Sequence, residues 1–421
     1  MTSSATPASR FPRRVAISGM GVVSAIGRGV PNFRRALLDC RSGIAERTLY
    51  DETYPSELPR ESYAHLAAAV EDVAPGYVEL EELSTFAVDR FAAYAVMAAN
   101  EALRDAGFEN GDPRRKRAHV ILGSAVGGDQ SRDFASHRIF GRAQRPHPLT
   151  VVRTMLNAGA SAISIAFGLT GPVFSICSAC ASAAHAIGQG AHNVRFGLTD
   201  CAIAGGAETL PAYTLFRSWQ QMRVMSRDGC RPFAADRNGL VLGEGAGILV
   251  LEPLDLVLAR GGHVYAEVAG FGTSSDARDW VIPDAGGMTR CMEEALADAE
   301  VDAAQIAYVN AHGTATDRGD AAETEALGRL LGKRASRVPV SSTKALHGHA
   351  LGATAALEAI ATAIGLDEGW MPAMPAFERD PQLDLELVTG CPQPLRGEIA
   401  ISNSFGFGGL NASLVLRRVP H

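Results

Sequence analysis

Short apolar runs that stop at glycine, separated by longer stretches with helical spacing, run the length of this chain and leave few architectures open. Residues 14–21 (RVAISGMG), 118–123 (AHVILG), 173–177 (VFSIC), 200–206 (DCAIAGG) and 247–252 (GILVLE) have the near-continuous apolar character of buried strands. Between them, residues 86–106 place apolar side chains at helical spacing, and residues 181–195 continue as an Ala-rich helix that must be largely buried. The theme restarts after about residue 262. Strands are expected at 264–272, 306–310, 338–342, 398–402 and 412–417, with helices at 288–299, 321–331 and 351–366. The pattern is α/β. With 421 residues and no linker-like stretch, it reads as two halves, 1–260 and 261–421, packed into one body.

Charge and cysteine content narrow the function classes. Lys plus Arg number 39 against 46 Asp plus Glu, a net charge of −7 with no long basic run, which speaks against nucleic acid or an anionic membrane as partner. No run of about 20 apolar residues is present to span a bilayer. Residues 1–14 lack an apolar core, so they read as a loose tail and not as a signal peptide. Seven scattered cysteines, an odd number, point to a reducing, cytoplasmic compartment.

Four segments carry chemistry. In Ser175-Ile-Cys-Ser-Ala-Cys-Ala-Ser-Ala-Ala-His185 a strand gives way to a helix, which puts Cys180 at a helix N-terminus, where free N–H groups favour a thiolate nucleophile. Cys177 and Cys180 have CxxC spacing, but Cys177 falls within the expected strand and no second pair completes a zinc site. Tyr308-Val-Asn-Ala-His-Gly-Thr-Ala-Thr316 runs a strand into His312, at the strand end where α/β proteins bind ligands. Ser341-Ser-Thr-Lys-Ala-Leu-His-Gly-His-Ala-Leu-Gly352 concentrates Lys344, His347 and His349 before a helix carrying one acid, Glu358, a partner for Lys344. Of the two histidines, His349 is the stronger candidate. Ile401-Ser-Asn-Ser-Phe-Gly-Phe-Gly-Gly-Leu-Asn411 sets Phe405 and Phe407 among glycines, a composition suited to backbone N–H groups turned on an oxyanion with an aromatic gate. A metal-dependent hydrolase is disfavoured, because no His-x-x-x-His pair or acidic cluster accompanies the histidines.

In this order, Cys, His, Lys, His and a Gly-Phe loop, the segments closely resemble the β-ketoacyl-ACP synthases I and II of the thiolase superfamily, from Val15 to Arg418. Arg237-Asn-Gly-Leu-Val-Leu-Gly-Glu-Gly-Ala-Gly247 and Gly205-Gly-Ala-Glu208 belong to the same likeness. The resemblance implies a five-layered α-β-α-β-α thiolase-like fold and a decarboxylative Claisen condensation. Cys180 would carry an acyl thioester, and a malonyl group on acyl carrier protein would lose carbon dioxide and extend the chain by two carbons. His312 and His349 would hold the malonyl thioester oxygen, and the N–H groups of Cys180 and Phe407 would form the oxyanion hole. Lys344 and Glu358 would be support, and Thr314 and Thr316 would bind the phosphopantetheine arm that arrives on the carrier protein.

Val126 falls where relatives set acyl-pocket depth, Leu240 where a Phe near the malonyl site is common, and Arg223 and Arg90 are the candidate carrier-docking cations. No cofactor is required on this reading; a buried monovalent cation near Asn310, Glu358 and Asn403 is compatible with it. The expected assembly is a homodimer or a heterodimer with a chain-length-factor-like subunit. Ala234, Leu240 and Leu410 depart from the family pattern. They motivate two further readings: a dedicated polyketide or polyene ketosynthase, and a weakly catalytic scaffold subunit.

Overall fold

The computed structural model describes residues 12–48, 64–71, 88–109 and 111–420. Most of the expected N-terminal tail and the first two residues of the helix expected at 86–106 lie outside these. Ten strands form the framework: β1 (Val15–Ser24), β2 (His119–Gly123), β3 (Val173–Ile176), β4 (Ala202–Glu208), β5 (Gly245–Pro253), β6 (Ala266–Ser275), β7 (Ile306–Asn310), β8 (Pro339–Ser341), β9 (Ile399–Gly406) and β10 (Leu410–Arg417). Those predicted from apolar runs are all present, with ends displaced by a few residues. β9 runs furthest past expectation, to Gly406, because all eight of its residues find partners on β10 in a hairpin closed by Phe407–Gly409.

The strand order repeats. The first half runs β3-β2-β4-β5-β1 and the second β8-β7-β9-β10-β6. In each, the first two pairings are parallel and the last two antiparallel. The halves meet where β1 pairs with β6 through Ala16 opposite Glu267 and Ile17 opposite Ala266. A duplicated plan with no visible sequence repeat is thus written in topology.

Six helices fill the layers: α1 (Arg90–Asp105), α2 (Ala158–Phe167), α3 (Ser182–Arg195), α4 (Ala285–Asp298), α5 (Asp317–Leu331) and α6 (Thr354–Glu368). Asp89 caps α1 by accepting from the Phe91 N–H, which fixes the start at Arg90. α1 and α2 cover the outer face of the first sheet, α4 and α5 the outer face of the second. α3 and α6 lie between the sheets, where Ala184, Ile187, Ala356 and Ile360 share one core with Leu249 and Leu414. Every residue of α6 from Thr354 to Leu366 is buried, so it has no polar face, as a central helix requires. The result is the five-layered thiolase-like α/β fold. Among the described residues, no helix is long and apolar enough to cross a membrane.

Candidate active site

The nucleophile candidate stands where the first half's sheet hands the chain to the central layer. β3 ends at Ile176, Ala179 adopts a left-handed φ of 50°, and α3 begins at Ser182, so Cys180 sits on a sharp turn at a helix N-terminus. The Ser178 N–H donates to Ser182 Oγ at 2.9 Å and that hydroxyl donates to the Ala179 carbonyl at 2.7 Å, which locks the turn. Gly123 lets the helix start press on β2: a Cβ there would come within 2.4 Å of the Ala183 nitrogen. Cys180 itself is buried. Cys177 lies one residue past the end of β3 and is exposed, not within the strand as expected.

The second half delivers the other groups from equivalent strand ends. His312 follows β7, and its ring meets that of His349 edge to face, centroids 5.6 Å apart. One ligand-capable atom each of Cys180, His312 and His349 lies within 4.8 Å of the others. His349 Nε2 is 3.1 Å from the Cys180 sulfur. The Leu351 N–H donates to His349 Nδ1 at 3.1 Å, with Thr354 Oγ1 2.9 Å from the same atom. Nδ1 is therefore the acceptor and Nε2 carries the proton, so His349 is a donor toward Cys180 and not its base.

Charge confirms that state. Burial, then the positive charge of Lys344, then the neighbouring histidine hold His312 and His349 well below the ordinary histidine range, so both are neutral N–H donors. Burial pushes the Cys180 thiol up to about 11, while Lys344 and the backbone N–H groups of Phe407 and Cys180 favour the thiolate. Those two N–H groups converge on the atom at which an acyl chain would be attached. Gly406 makes the convergence possible, because a Cβ there would sit 3.0 Å from the Ser178 carbonyl oxygen and 3.2 Å from the Cys180 nitrogen.

Lys344 lies in a short helix, Lys344–His347, fully buried, and donates to Glu358 Oε1 at 2.5 Å. Burial lifts the Glu358 carboxyl to about 7 against the pull of Lys344. His347 is satisfied locally, Nδ1 to the Gly348 carbonyl and Nε2 to Thr343 Oγ1, both 2.9 Å. That leaves His349 as the histidine facing the sulfur. Sequence reasoning missed Glu323 on α5, a buried acid whose oxygens accept the N–H groups of His312 at 2.8 Å and Gly313 at 2.7 Å. Its sequence signal is an acid six residues past the helix start, behind His-Gly-Thr.

A cavity of about 350 Å³ opens over Cys180, His312, His349, Phe405 and Phe407. Thr314 and Thr316 line its wall, their hydroxyls 2.9 Å apart, and Leu240, Trp219 and Arg223 complete the approach. Two further candidates lie apart from this cavity. Arg90 is engaged internally: its guanidinium is bound to Glu244 at 3.0 Å and to the Val70 carbonyl at 3.1 Å, with its side chain only 12% exposed, which leaves little of it for docking. Val126 does not line this cavity but packs against the neighbouring apolar cluster of Phe216, Leu240 and Leu351.

Around the Lys344 pair, Glu358 Oε2 and both amide atoms of Asn310 are buried without a hydrogen-bond partner. Two of these are hard oxygens that a cation could take. Asn403 offers less, since its Oδ1 accepts from Ser413 Oγ at 2.9 Å.

Residues 12–256 match the family described as "Beta-ketoacyl synthase, N-terminal domain", and residues 265–378 match "Beta-ketoacyl synthase, C-terminal domain". Nodulation protein E of Rhizobium sp. (strain N33) is 37% identical over 97% of this chain and 100% of its own length. The 3-oxoacyl-[acyl-carrier-protein] synthase 2 of Staphylococcus aureus (strain N315) is 35% identical over 96% of this chain and 98% of its own. The solved ishigamide ketosynthase/chain length factor superposes with a TM-score of 0.88 at 30% identity, covering 97% of this chain and 100% of that one. With a thiol on a helix start in one matched domain and two neutral histidines in the other, this chain belongs to the β-ketoacyl synthase family, as an acyltransferase of the condensing type.

Proposed function

We propose that the chain condenses an acyl thioester on Cys180 with a malonyl thioester borne by an acyl carrier protein. The observation that carries this reading is the set of donors around one sulfur: His349 Nε2 at 3.1 Å and the backbone N–H groups of Cys180 and Phe407. The Cys180 thiolate attacks the incoming acyl carbonyl, and the carrier thiol leaves with a proton. The malonyl group then loses carbon dioxide, and the electron pair left behind is held as an enolate by N–H groups of His312 and His349. Neutral imidazoles suit this task, since each has a proton to share and no charge to discharge into the enolate. The enolate carbon attacks the Cys180 thioester, the tetrahedral oxygen rests on the Cys180 and Phe407 N–H groups, and the thiolate departs from a 3-oxoacyl chain two carbons longer.

Intact-mass measurement with an acyl carrier protein donor tests this. Cys180→Ala is expected to show no acyl adduct, while His349→Ala gains the adduct but yields no 3-oxoacyl product. A parent chain that never acquires the adduct would favour the scaffold reading instead.

Arg223, on the approach to the cavity, is the docking cation we retain for the acidic carrier. Phe140, Val151, Val152 and Ile165 are exposed apolar side chains, suited to a second subunit. We take that subunit to be another copy, with a chain-length-factor-like partner as the alternative outcome of native mass measurement. A monovalent cation would be held by Glu358 Oε2 and Asn310 Oδ1, offsetting the buried acid's charge.

A further inference from the structure

Trp219 sits across the cavity from the nucleophile and stacks on Phe407, with ring centroids 5.4 Å apart and planes 24° from parallel. The two rings belong to elements of different stiffness. Trp219 lies on the helix Tyr213–Gln221, which is anchored at several points. Phe216 on that helix is fully buried, the Ala212 N–H donates to Asp129 Oδ2 at 2.9 Å, Thr214 Oγ1 donates to Asp133 Oδ1 at 2.9 Å, and Gln220 Nε2 lies 3.1 Å from His65 Nδ1.

Phe407, by contrast, rides on a hairpin turn between Gly406 and the left-handed Gly408 (φ 82°) and Gly409 (φ 68°). The Gly408 N–H donates to the Trp280 carbonyl at 2.8 Å and the Gly409 carbonyl accepts from the Asp276 N–H at 2.9 Å, which pins the far side of the turn; the glycines leave the Phe407 ring and the Gly406–Phe407 peptide to be set by what the ring meets. The ring is the turn's handle: whatever holds it also aims the backbone N–H that faces Cys180.

We infer that Trp219 is a positioning residue, a fixed aromatic plate that holds the Phe407 turn so that its N–H completes the oxyanion hole and its ring narrows the cavity mouth. This rests on the condensing reading above. An aromatic pair of this geometry shifts an equilibrium by roughly 2- to 12-fold. Without it the turn would spend a corresponding share of its time with the N–H aimed elsewhere. Acyl transfer, which builds negative charge on a carbonyl oxygen, would slow by that factor. Alkylation of the same sulfur by iodoacetamide builds no such charge; the Phe407 N–H enters it only through the thiolate fraction, so the rate per thiolate, read from the pH dependence of alkylation, is not lowered, and a wider mouth admits the reagent at least as well.

The test compares the parent chain with Trp219→Ala and Trp219→Phe, measuring acyl loading from an acyl-carrier-protein donor by intact mass and, across pH, iodoacetamide alkylation of Cys180 expressed per thiolate. Expected for Trp219→Ala is loading slowed roughly 2- to 12-fold with alkylation unchanged or faster, and for Trp219→Phe both rates near the parent's. Loading at the parent rate in Trp219→Ala, loading and alkylation slowed together, or a Phe variant as slow as the Ala variant would each overturn the assignment. A parent chain that does not load at all would instead refute the condensing reading.

Discussion

The two halves share one strand order and the same pattern of parallel and antiparallel pairings, yet their strand ends are built in opposite ways. In the first half the end of β2 and the start of α3 fit by removal of atoms: glycine against helix backbone, with the single reactive group a small thiol. In the second half the ends of β7 and β8 are crowded with buried polar groups: His312, His349, Lys344, Glu323 and Glu358. Each half also ties its strand-end loop with a buried acid. Glu208 accepts from the Ala125 and Gly352 N–H groups, and Glu323 from those of His312 and Gly313. One scaffold, used twice, thus separates a nucleophile that needs close approach from the donors and charges that need a low-dielectric surrounding. A single site could not easily satisfy both demands, because the polar cluster needs volume that the tight helix start does not have.

Three substitutions or conditions probe that contrast. The largest effect is expected in the polar half. Lys344→Met leaves the buried Glu358 without its partner and should lower unfolding stability by about 3–5 kcal/mol in chemical denaturation. Adding Glu358→Gln should return most of that loss, since the penalty is the orphaned charge; a double variant as unstable as the single would show that Lys344 acts through packing.

Gly123→Ala probes the steric half, where the new methyl meets the α3 backbone, and a cost of about 1–3 kcal/mol is expected by the same measurement. No loss there would mean that the helix start is less tightly seated than the geometry describes.

The smallest effect is one of pH. His312 and His349 are held neutral well below the ordinary histidine range, so falling pH should not protonate them near 6.5. Malonyl decarboxylation should show no inflection from either histidine between about pH 8 and pH 6; the Glu358 carboxyl, near 7, is the group that would move the rate there. An inflection near 6.5 that persists in Glu358→Gln would show that the site is wetter than its burial implies.

Much of this was legible in the sequence because reactive side chains cluster where apolar runs break. Cys180, His312, Lys344 and Phe407 each lie within a few residues past a strand end, with His349 one short helix further on, and a strand end is a local feature that a linear pattern records. What stayed hidden depends on distant chain segments. Arg90 looked like a free cation until its partner, Glu244, arrived from 154 residues away. Glu323 is one of four acids on α5, and only tertiary packing selects the two turned inward, Asp320 and Glu323. Trp219 reads as an ordinary amphipathic-helix aromatic until the hairpin of the other half meets it.

The two N–H groups that face the Cys180 sulfur, and that form the oxyanion hole on the proposed reading, come one from each half, Cys180 from the first and Phe407 from the second. The pair is therefore a gauge across the seam between the halves: neither half alone could stabilise the tetrahedral oxygen, and a slippage of even about 1 Å between the sheets would break the pair. Catalytic rate in such a molecule reports on registration between its halves, and a remote substitution that lets them slide would dim activity while leaving every reactive side chain in place.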